Sequence, residues 1–510
     1  MREGNKVSIG HKEYTLGSMI GEGKEGSIFN IVERPEFVVK IINEKVLDSS
    51  QRIDVYNHLN WLYNQLGRRK EKQPVRDYFV VPLGLLDEQL GYVMRKLDNH
   101  ELLSSYLRLP EDMNTFDDWY CKKYTLKKRY QIIKNIFDAL RRIHIEGLIF
   151  TDLSPNNIMV HKEQNQIAFI DTDNTRRRTD SYLGVLGTPG YMAPEIYRKP
   201  ECSLIKNNNI DPKILSDCGR ITVDSDIFSA AVIAFELLTL CHPFIGDEID
   251  DGEAEAEERA LRIETDYIFK SGTSNFSTRN LAPYFEEVTT PEIRELFKKT
   301  FVDGKNHPSQ RPTAEEFYEA FQNGLDLIVE CQKSECGFSR IYIPGKENIC
   351  LGCNNLFEKQ TLFVIYSKFQ KRSDVINGIG NHPQYDVEEQ NLWLGVGTDS
   401  RAPDAHFEMR KILLKPGKEN FLYARHFECT EQRDQKAVII KYDKDSGRGQ
   451  IFANKKIFAE PYLIDKSTRQ EKIYINDGKE NFSLDKYGVV FGTVKHHNGY
   501  IKIFGKFVKE

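Results

Sequence analysis

Apolar and polar positions follow three different patterns along the chain. Residues 14–42 and 78–97 carry short apolar runs separated by turn residues, which predicts strands. Residues 51–66 and 126–146 place apolar side chains three and four positions apart, which predicts helices. From residue 361 onward, apolar and polar residues alternate between turn signals, which predicts an antiparallel β-sandwich or barrel of about seven to ten strands. We therefore expect an α+β protein with a separate all-β domain.

The predicted helices differ in how regularly their apolar residues are spaced. Residues 126–146 form the strongest pattern, with these side chains spaced to face a core: Ile132, Ile133, Ile136, Leu140 and Ile143. The helix at 51–66 has an apolar face made by Ile53, Tyr56, Leu59 and Tyr63. The most apolar run, residues 229–240, is short and contains Glu236, which favours a buried helix over a membrane span.

The predicted strands near the N-terminus carry a glycine-rich hairpin. Gly21, Gly23 and Gly26 have the spacing G-x-G-x-x-G and precede Ile28. Glycines allow backbone N–H groups to approach phosphates closely, although an ordinary glycine hairpin has the same pattern. A dinucleotide-binding fold is disfavoured, because a strand and not a helix continues after the motif. Residues 78–97 are predicted to add two antiparallel strands joined by the turn DEQ, with Met94 at the end of the second.

Lys40 lies in the middle of the apolar strand FVVKII. Burying an ammonium group is costly unless an anion meets it, so we expect an anionic partner; the alternative is a lysine on an exposed sheet edge. The next helix, at 51–66, is expected to carry a glutamate that pairs with Lys40, but it contains none, and Asp54 is its one acidic residue. The sequence therefore predicts a buried lysine without predicting its counter-charge.

Residues 148–173 contain the residue types of a metal-dependent phosphoryl-transfer site. Asp152 is followed five positions later by Asn157, and Asp171 follows a second short apolar run. Asp152 would orient an acceptor hydroxyl, while Asn157 and Asp171 would hold the Mg²⁺ ions that neutralise phosphate charge.

Composition narrows the class of protein only modestly. The net charge is −5, with 29% charged residues, so nothing indicates nucleic-acid binding. The N-terminal residues have no apolar core of a signal peptide. Of nine cysteines, five are scattered along the chain: Cys121, Cys202, Cys218, Cys241 and Cys429. This usage is typical of a cytoplasmic protein and not of a disulfide-rich secreted one.

The other four cysteines predict a metal site. Cys331, Cys336, Cys350 and Cys353 have the spacing C-x4-C and C-x2-C, which suits a tetrahedral Zn²⁺ in a zinc-ribbon-like module at 328–358. Four thiolates leave no open position for chemistry, so we expect the zinc to be structural; the alternative is chance clustering. His426 and Cys429 give only a weak sign of a second metal site.

The motifs together resemble the eukaryotic-type Ser/Thr protein kinase catalytic domain, over about residues 15–320. The matches are collinear: the glycine loop, Lys40, DLSPNN at 152–157, IDTD at 170–173, GTPGYMAPE at 187–195, DSDIF at 224–228 and HPSQRP at 307–312. The resemblance implies a bilobal fold, with a β-rich lobe at about 1–97 and a helical lobe at about 98–327. DLSPNN and the zinc-ribbon layout favour a divergent bacterial branch.

The resemblance also implies roles for individual residues. ATP would be held by these positions: Gly21, Gly23, Gly26, Ile28, Lys40, Met94, Asn157 and Asp171. Asp152 would be the catalytic aspartate, with Lys40 on the α/β-phosphates. Glu195 is expected to form a buried ion pair with Arg311, and Asp226 to brace the catalytic loop. Gly187, Thr188 and Pro189 would place a Ser/Thr hydroxyl beside Asp152.

Several positions depart from the family pattern. Phe150-Thr151 replaces the His-Arg before the catalytic aspartate, which makes activation by loop phosphorylation doubtful. Ser154 replaces a lysine that contacts the γ-phosphate. Thr172 and Asp173 replace the Phe-Gly of the D-F-G motif, which should stiffen that turn and add a carboxylate near the metals.

Two charged segments have open interpretations. Arg176, Arg177 and Arg178 form either a solvated basic loop, a site for acidic substrates, or a clamp on the acidic insert at 246–259. That acidic insert is expected to be solvated and mobile, with docking or autoinhibition as the alternative. A second insert, at 200–222, is polar.

Two functions of different classes remain open. The first is an ATP- and magnesium-dependent Ser/Thr protein kinase that phosphorylates a protein substrate or itself. The second is a pseudokinase scaffold or nucleotide sensor that acts through protein–protein interaction. Residues 361–510 carry no catalytic motif, so they are expected to bind a protein or a phosphopeptide, or to regulate the kinase.

Overall fold

The computed structural model describes most of the chain. Nothing is described for residue 1, residue 510 or these internal stretches: 24–25, 113–115, 179–186, 198–220, 334–335, 372–406, 428–432, 459–460, 469–471, 476–479 and 497–498. Cys202, Cys218, Cys429 and nearly all of the polar insert at 200–222 lie outside the described residues. The chain divides into two compact units, Met1–Ile341 and Tyr342–Glu510.

The first unit begins with a six-stranded antiparallel sheet in the order β1-β2-β3-β4-β6-β5. Its strands are β1 Lys6–Ile9, β2 Lys12–Glu22, β3 Gly26–Ile31, β4 Phe37–Ile42, β5 Gly84–Leu85 and β6 Gly91–Arg95. The predicted pair at 78–97 is antiparallel, but its first strand is only two residues long. The residues before it bond elsewhere, since Val80 N donates to the Phe169 carbonyl at 2.9 Å.

Helix α1 (Ser49–Leu62) begins at Asp48, whose side chain accepts a hydrogen bond from Gln51 N and forms a capping box. The helix lies where the sequence predicts one, but its predicted apolar face is wrong in part. Ile53 and Tyr56 are 61% and 49% exposed, whereas Leu59 is buried together with Leu62.

The remainder of the first unit is mainly helical. Its helices are α2 Gln73–Arg76, α3 Phe116–Asp118, α4 Leu126–Ile145, α5 Pro194–Tyr197, α6 Val223–Thr239, α7 Asp247–Asp250, α8 Ala254–Leu261, α9 Phe285–Val288, α10 Pro291–Lys298 and α11 Ala314–Leu325. Helix α4 has the predicted bounds within one residue, and its five predicted core side chains are all fully buried. Helix α6 is buried along nearly its whole length, as its apolar run predicts. No described helix is both long and apolar enough to cross a membrane.

Short strands connect these helices and position the polar loops between them. They are β7 His100–Leu102, β8 Leu148–Ile149, β9 Ile158–His161, β10 Ile167–Phe169, β11 Arg176–Arg177, β12 Ile328–Glu330 and β13 Ser339–Ile341. Strands β10, β9 and β7 form one small sheet, and β11 pairs with β8. Asp152 and Asn157 lie between β8 and β9, and Asp171 follows β10. These strand ends therefore fix the spacing of the three polar residues.

In the second unit, the described strands form two antiparallel sheets, one of six strands and one of four. They are β14 Thr361–Lys371, β15 Phe407–Leu414, β16 Asn420–Tyr423, β17 Lys436–Tyr442, β18 Arg448–Ala453, β19 Tyr462–Asp465, β20 Lys472–Tyr474, β21 Glu480–Ser483, β22 Tyr487–His496 and β23 Gly499–Lys509. Alternate residues such as Val438, Ile440 and Ile451 are buried in one hydrophobic core.

Candidate functional site

The loop that carries Asp152 is braced by a buried carboxylate from helix α6. Asp226 is 2% exposed and accepts hydrogen bonds from the backbone N–H groups of Phe150 at 2.9 Å and Thr151 at 3.2 Å. His144 Nε2 lies 3.0 Å from the same carboxylate. Thr151 has a φ of +74°, an unfavourable conformation for a β-branched residue. The predicted bracing role of Asp226 is therefore confirmed, and it fixes a strained backbone.

Both carboxylate oxygens of Asp152 have side-chain partners from the predicted set. Thr188 Oγ1 donates to Oδ1 at 2.9 Å, and Asn157 Nδ2 donates to Oδ2 at 3.1 Å and to the Asp152 carbonyl at 2.8 Å. Because Nδ2 makes these bonds, the amide oxygen is the atom that Asn157 can offer to a metal ion. The structure thus brings the segment at 187–189 to Asp152, as the sequence predicts.

Lys40 projects from β4 to the loop that follows β10. Its Nζ lies 3.1 Å from Asp171 Oδ1 and 2.8 Å from Asp173 Oδ2. The lysine side chain is 6% exposed, whereas Asp171 and Asp173 are 42% and 15% exposed. Burial by itself lowers the pKa of Lys40, but Tyr92, Asp173 and Asp171 outweigh it, so the pKa lies above its ordinary value. The anionic partner that a buried lysine requires is therefore present, and the edge-strand interpretation is wrong.

Asp171 and its neighbours are held in a compact turn. Asp171 adopts a left-handed backbone with a φ of 54°, and Thr172–Asn174 form a 3₁₀ turn behind it. Thr172 is buried and donates from Oγ1 to the Val80 carbonyl at 2.6 Å, while Thr151 Oγ1 donates to the Asn174 carbonyl at 2.7 Å. Thr172, a polar replacement in this motif, therefore ties the turn to the Val80 segment, and Thr151 ties it to the loop that carries Asp152. The extra carboxylate, Asp173, contacts Lys40.

An aromatic cluster lies beneath the loop that carries Asp152, where Phe150 stands in place of the histidine that the resemblance implies. Phe150 is fully buried, with its ring centroid 5.1 Å from Phe169 and 6.0 Å from Phe79. Phe79 and Phe169 stack at 4.7 Å. Ser154, which stands where a lysine is usual, is 1% exposed. Packing therefore accommodates both replacements, and neither supplies a positive charge near Asp152.

The glycine-rich hairpin and Met94 lie on strands that neighbour the strand of Lys40. Ile28 on β3 pairs with Lys40 on one side and with Gly21 on the other, and Met94 on β6 pairs with Val38 on β4. A Cβ on Gly26 would lie 2.2 Å from the Ile41 carbonyl oxygen, so strand packing requires that glycine. A Cβ on Gly23 would meet no described atom within 4 Å. Packing among the described residues therefore does not require a glycine at position 23.

The fit of magnesium and ATP to these residues rests on their donor atoms. Asp171 offers a partly exposed carboxylate, and Asn157 offers an amide oxygen, which are the hard oxygen ligands that Mg²⁺ prefers. Lys40 supplies an ammonium group from β4, the strand that pairs with β3 of the glycine hairpin. These side chains come from separate parts of the sequence, and the fold brings them to one region.

The three consecutive arginines have different surroundings. Arg176 Nη1 lies 2.7 Å from His58 Nε2 of helix α1, and the Arg177 guanidinium lies 4.5 Å from the Trp61 ring centroid. Arg178 is exposed. The first two thus contact helix α1, which is not among the partners that the sequence predicts for them.

The acidic insert is held by Arg279, a partner that the sequence pattern does not predict. Arg279 forms an ion pair with Asp247 at 3.7 Å and with Asp251 at 2.5 Å, and it also contacts Asp250. The insert includes helices α7 and α8, so it is structured and not simply a solvated run. No charge pattern pointed to Arg279, because it lies about thirty residues away in sequence.

The predicted ion pair between Glu195 and Arg311 is confirmed. Two parallel hydrogen bonds of 2.7 Å join the guanidinium to the carboxylate, and the side chains are 2% and 0% exposed. Arg311 also donates to the carbonyls of Gly304 at 2.9 Å and Asp224 at 3.0 Å. Every polar atom of the pair is thereby engaged in the core of the helical part.

The four clustered cysteines have a geometry that fits a metal ion. Their Sγ atoms all lie within 4.8 Å of one another, and Cys350 is buried. A tetrahedral zinc with bonds of about 2.3 Å places its sulfur ligands about 3.8 Å apart, so small movements would complete the site. Elsewhere in the described residues, no other group of three or more potential ligands lies as close together.

Comparison with known proteins agrees with this arrangement. Residues 14–321 match the protein kinase domain. The chain is 28% identical over 194 residues to the probable serine/threonine-protein kinase fhkE of Dictyostelium discoideum, covering 36% of this chain and 25% of that protein. It is 24% identical over 239 residues to the smooth-muscle myosin light chain kinase of Gallus gallus, covering 46% and 10%.

A longer match is to the probable serine/threonine-protein kinase nek1 of Dictyostelium discoideum, 22% identical over 419 residues and covering 74% of this chain and 72% of that one. The chain spans a quarter or less of the length of the two relatives above. The family match covers the described glycine hairpin, Lys40, Asp152, Asn157, Asp171 and the Glu195–Arg311 pair in one continuous region. The chain belongs to the protein kinase domain family.

Proposed function

We propose that the chain is an active Ser/Thr protein kinase that transfers the γ-phosphate of ATP to a hydroxyl group of a protein. The observation that carries the proposal is the pair of contacts at Asp152, where Thr188 and Asn157 each donate to one carboxylate oxygen. A substrate hydroxyl that took the place of Thr188 Oγ1 would meet the same oxygen. Asp152 would then orient that hydroxyl and accept its proton.

The other residues would position the nucleotide. Lys40 would bind the α- and β-phosphates, and the glycine hairpin would cover them with backbone N–H groups. Ile28 and Met94 would contact the base from the sheet. Asn157 and Asp171 would hold magnesium, which when bound neutralises charge on the phosphate oxygens.

A pseudokinase is the second candidate, and specific observations favour it. No arginine precedes Asp152, the buried Ser154 replaces a lysine, and the one acid of helix α1 is exposed. A pseudokinase would bind nucleotide, or none, and act through protein contacts. We favour the active enzyme because the side chains on which phosphoryl transfer chiefly depends are retained: Lys40, Asp152, Asn157 and Asp171.

The test is transfer of label from ATP that is radiolabelled on the γ-phosphate. The full chain is incubated with magnesium, alone and with a general acceptor protein, and the labelled products are hydrolysed to amino acids. We expect phosphoserine and phosphothreonine, and the chain-alone arm reports autophosphorylation. Nucleotide binding without label transfer would favour the pseudokinase.

We also propose that Cys331, Cys336, Cys350 and Cys353 hold a structural zinc ion. Freshly purified protein should contain about one zinc per chain by elemental analysis, because four close thiolates form a complete tetrahedral site. Cys350→Ser should lose most of that zinc, and Cys241→Ser, as a matched control outside the cluster, should keep it. Wild-type protein without zinc would refute the assignment.

Other features stay predictions. We propose a cytoplasmic location from the cysteine usage of the sequence and a bacterial origin from DLSPNN. A protein or phosphopeptide ligand for residues 361–510 is proposed only as a default for an appended module.

A further inference from the structure

The carboxylates that contact Lys40 come from the turn after β10 and not from helix α1. A lysine that is 6% exposed needs a carboxylate, because an uncompensated buried ammonium is strongly destabilising. Helix α1 does not supply one, since its one acid, Asp54, is exposed. Two carboxylates that contact Lys40, those of Asp171 and Asp173, lie instead on the turn after β10.

The two carboxylates are not equivalent. Asp171 is the more exposed and the more distant from Nζ, and under the proposed function it would turn toward magnesium. Asp173 is closer and less exposed, and its second oxygen, Oδ1, has no hydrogen-bond partner among the described residues. Its carboxylate is thus committed to Lys40.

The backbone around Asp173 is fixed from several sides. Arg176 Nη1 donates to the Asp173 carbonyl at 3.1 Å, and Thr172 is anchored to Val80 at 2.6 Å. Neither contact depends on Asp171. Asp173 would therefore keep its place if Asp171 rotated to bind a metal.

We propose that Asp173 is the positioning residue for Lys40, holding its ammonium group ready for the phosphates while Asp171 binds the metal; this rests on the proposed function. Asp173 thereby does for Lys40 what an acid on helix α1 would otherwise do. The turn after β10 would then position both the phosphate-binding lysine, through Asp173, and the metal, through Asp171. Phosphate binding would consequently not require helix α1 to contribute a charge.

A double-mutant cycle tests this directly. Asp173→Asn removes the charge and keeps the shape, and Lys40→Met removes the ammonium group. In the wild-type background, Asp173→Asn should weaken nucleotide binding and raise KM for ATP by about tenfold or more, with a smaller effect on kcat. In the Lys40→Met background, the same change should alter nucleotide affinity by less than about twofold. Asp173→Glu should retain more affinity than Asp173→Asn, and Asp54→Asn should bind as the wild type does.

The readout is the dissociation constant of a fluorescent ATP analogue with magnesium, measured beside KM and kcat. An equal loss in both backgrounds would mean that Asp173 acts through the fold and would overturn the proposal, as would an Asp173→Asn variant with wild-type affinity. Thermal unfolding of each variant shows whether a lower nucleotide affinity comes from a loss of folding. A wild type that binds the analogue but transfers no phosphate would refute the proposed function alone, because the binding cycle would still report the Lys40–Asp173 coupling.

Discussion

Replacing Asp152 by asparagine should lower kcat for phosphoryl transfer by about 10²–10⁴-fold, the usual contribution of a general base. The amide keeps the size of the side chain and can still accept from Thr188, but it cannot take a proton from a substrate hydroxyl. The affinity for nucleotide should change little, because Lys40 and Asp171 supply those contacts. Steady-state transfer of label to an acceptor protein measures the loss.

The matched control is Asp54→Asn, which removes a carboxylate from the exposed side of helix α1. It should leave kcat and KM unchanged. If Asp152→Asn retained more than about a tenth of the wild-type kcat, Asp152 would not be the general base. A parallel binding measurement with the fluorescent analogue separates lost chemistry from lost nucleotide binding.

Replacing Arg311 by methionine should destabilise the first unit by about 3–5 kcal/mol, the usual cost of breaking a buried ion pair on one side. Glu195 would be left as a buried carboxylate, 2% exposed and without its two charge-assisted hydrogen bonds. Urea denaturation followed by tryptophan fluorescence measures the change, because two of the three tryptophans, Trp61 and Trp119, lie in that unit.

Two further variants show whether the loss of stability comes from the unpaired buried charge. Glu195→Leu combined with Arg311→Met removes both charges, and the double variant should be more stable than Arg311→Met alone. Lys6→Ala breaks the exposed pair with Glu13, whose side chains are 63% and 67% exposed, and should leave the unfolding midpoint unchanged. An Arg311→Met protein as stable as the wild type would contradict the structural role of the pair.

The sequence was informative where the local pattern was strong. Helix α4 was predicted within one residue because twenty positions carry one consistent apolar period. Helix α1 was placed correctly, but Ile53 and Tyr56 were assigned to the wrong face. Its apolar residues are few and spread around the helix, so tertiary packing of Leu59 and Leu62 decides which face is buried.

Long-range pairing explains most of what the sequence could not predict. Lys40 and Asp173 are 133 residues apart, and a rule based on helix α1 directed attention to the wrong element. The one available signal was an acid where the family has a glycine. Arg279 is similarly remote from the acidic insert that it contacts. By contrast, the Glu195–Arg311 ion pair and the bracing by Asp226 could be predicted, because the collinear motifs resemble the protein kinase family and that resemblance implies both contacts.

The central claim is that this divergent site still transfers phosphate. The most direct test is the amount of label transferred from γ-labelled ATP by wild type, Asp152→Asn and Asp171→Asn, purified in parallel and assayed with the same magnesium and acceptor. We expect clear incorporation by the wild type and loss of nearly all of it in both variants. Wild-type incorporation no greater than that of either variant would contradict the claim.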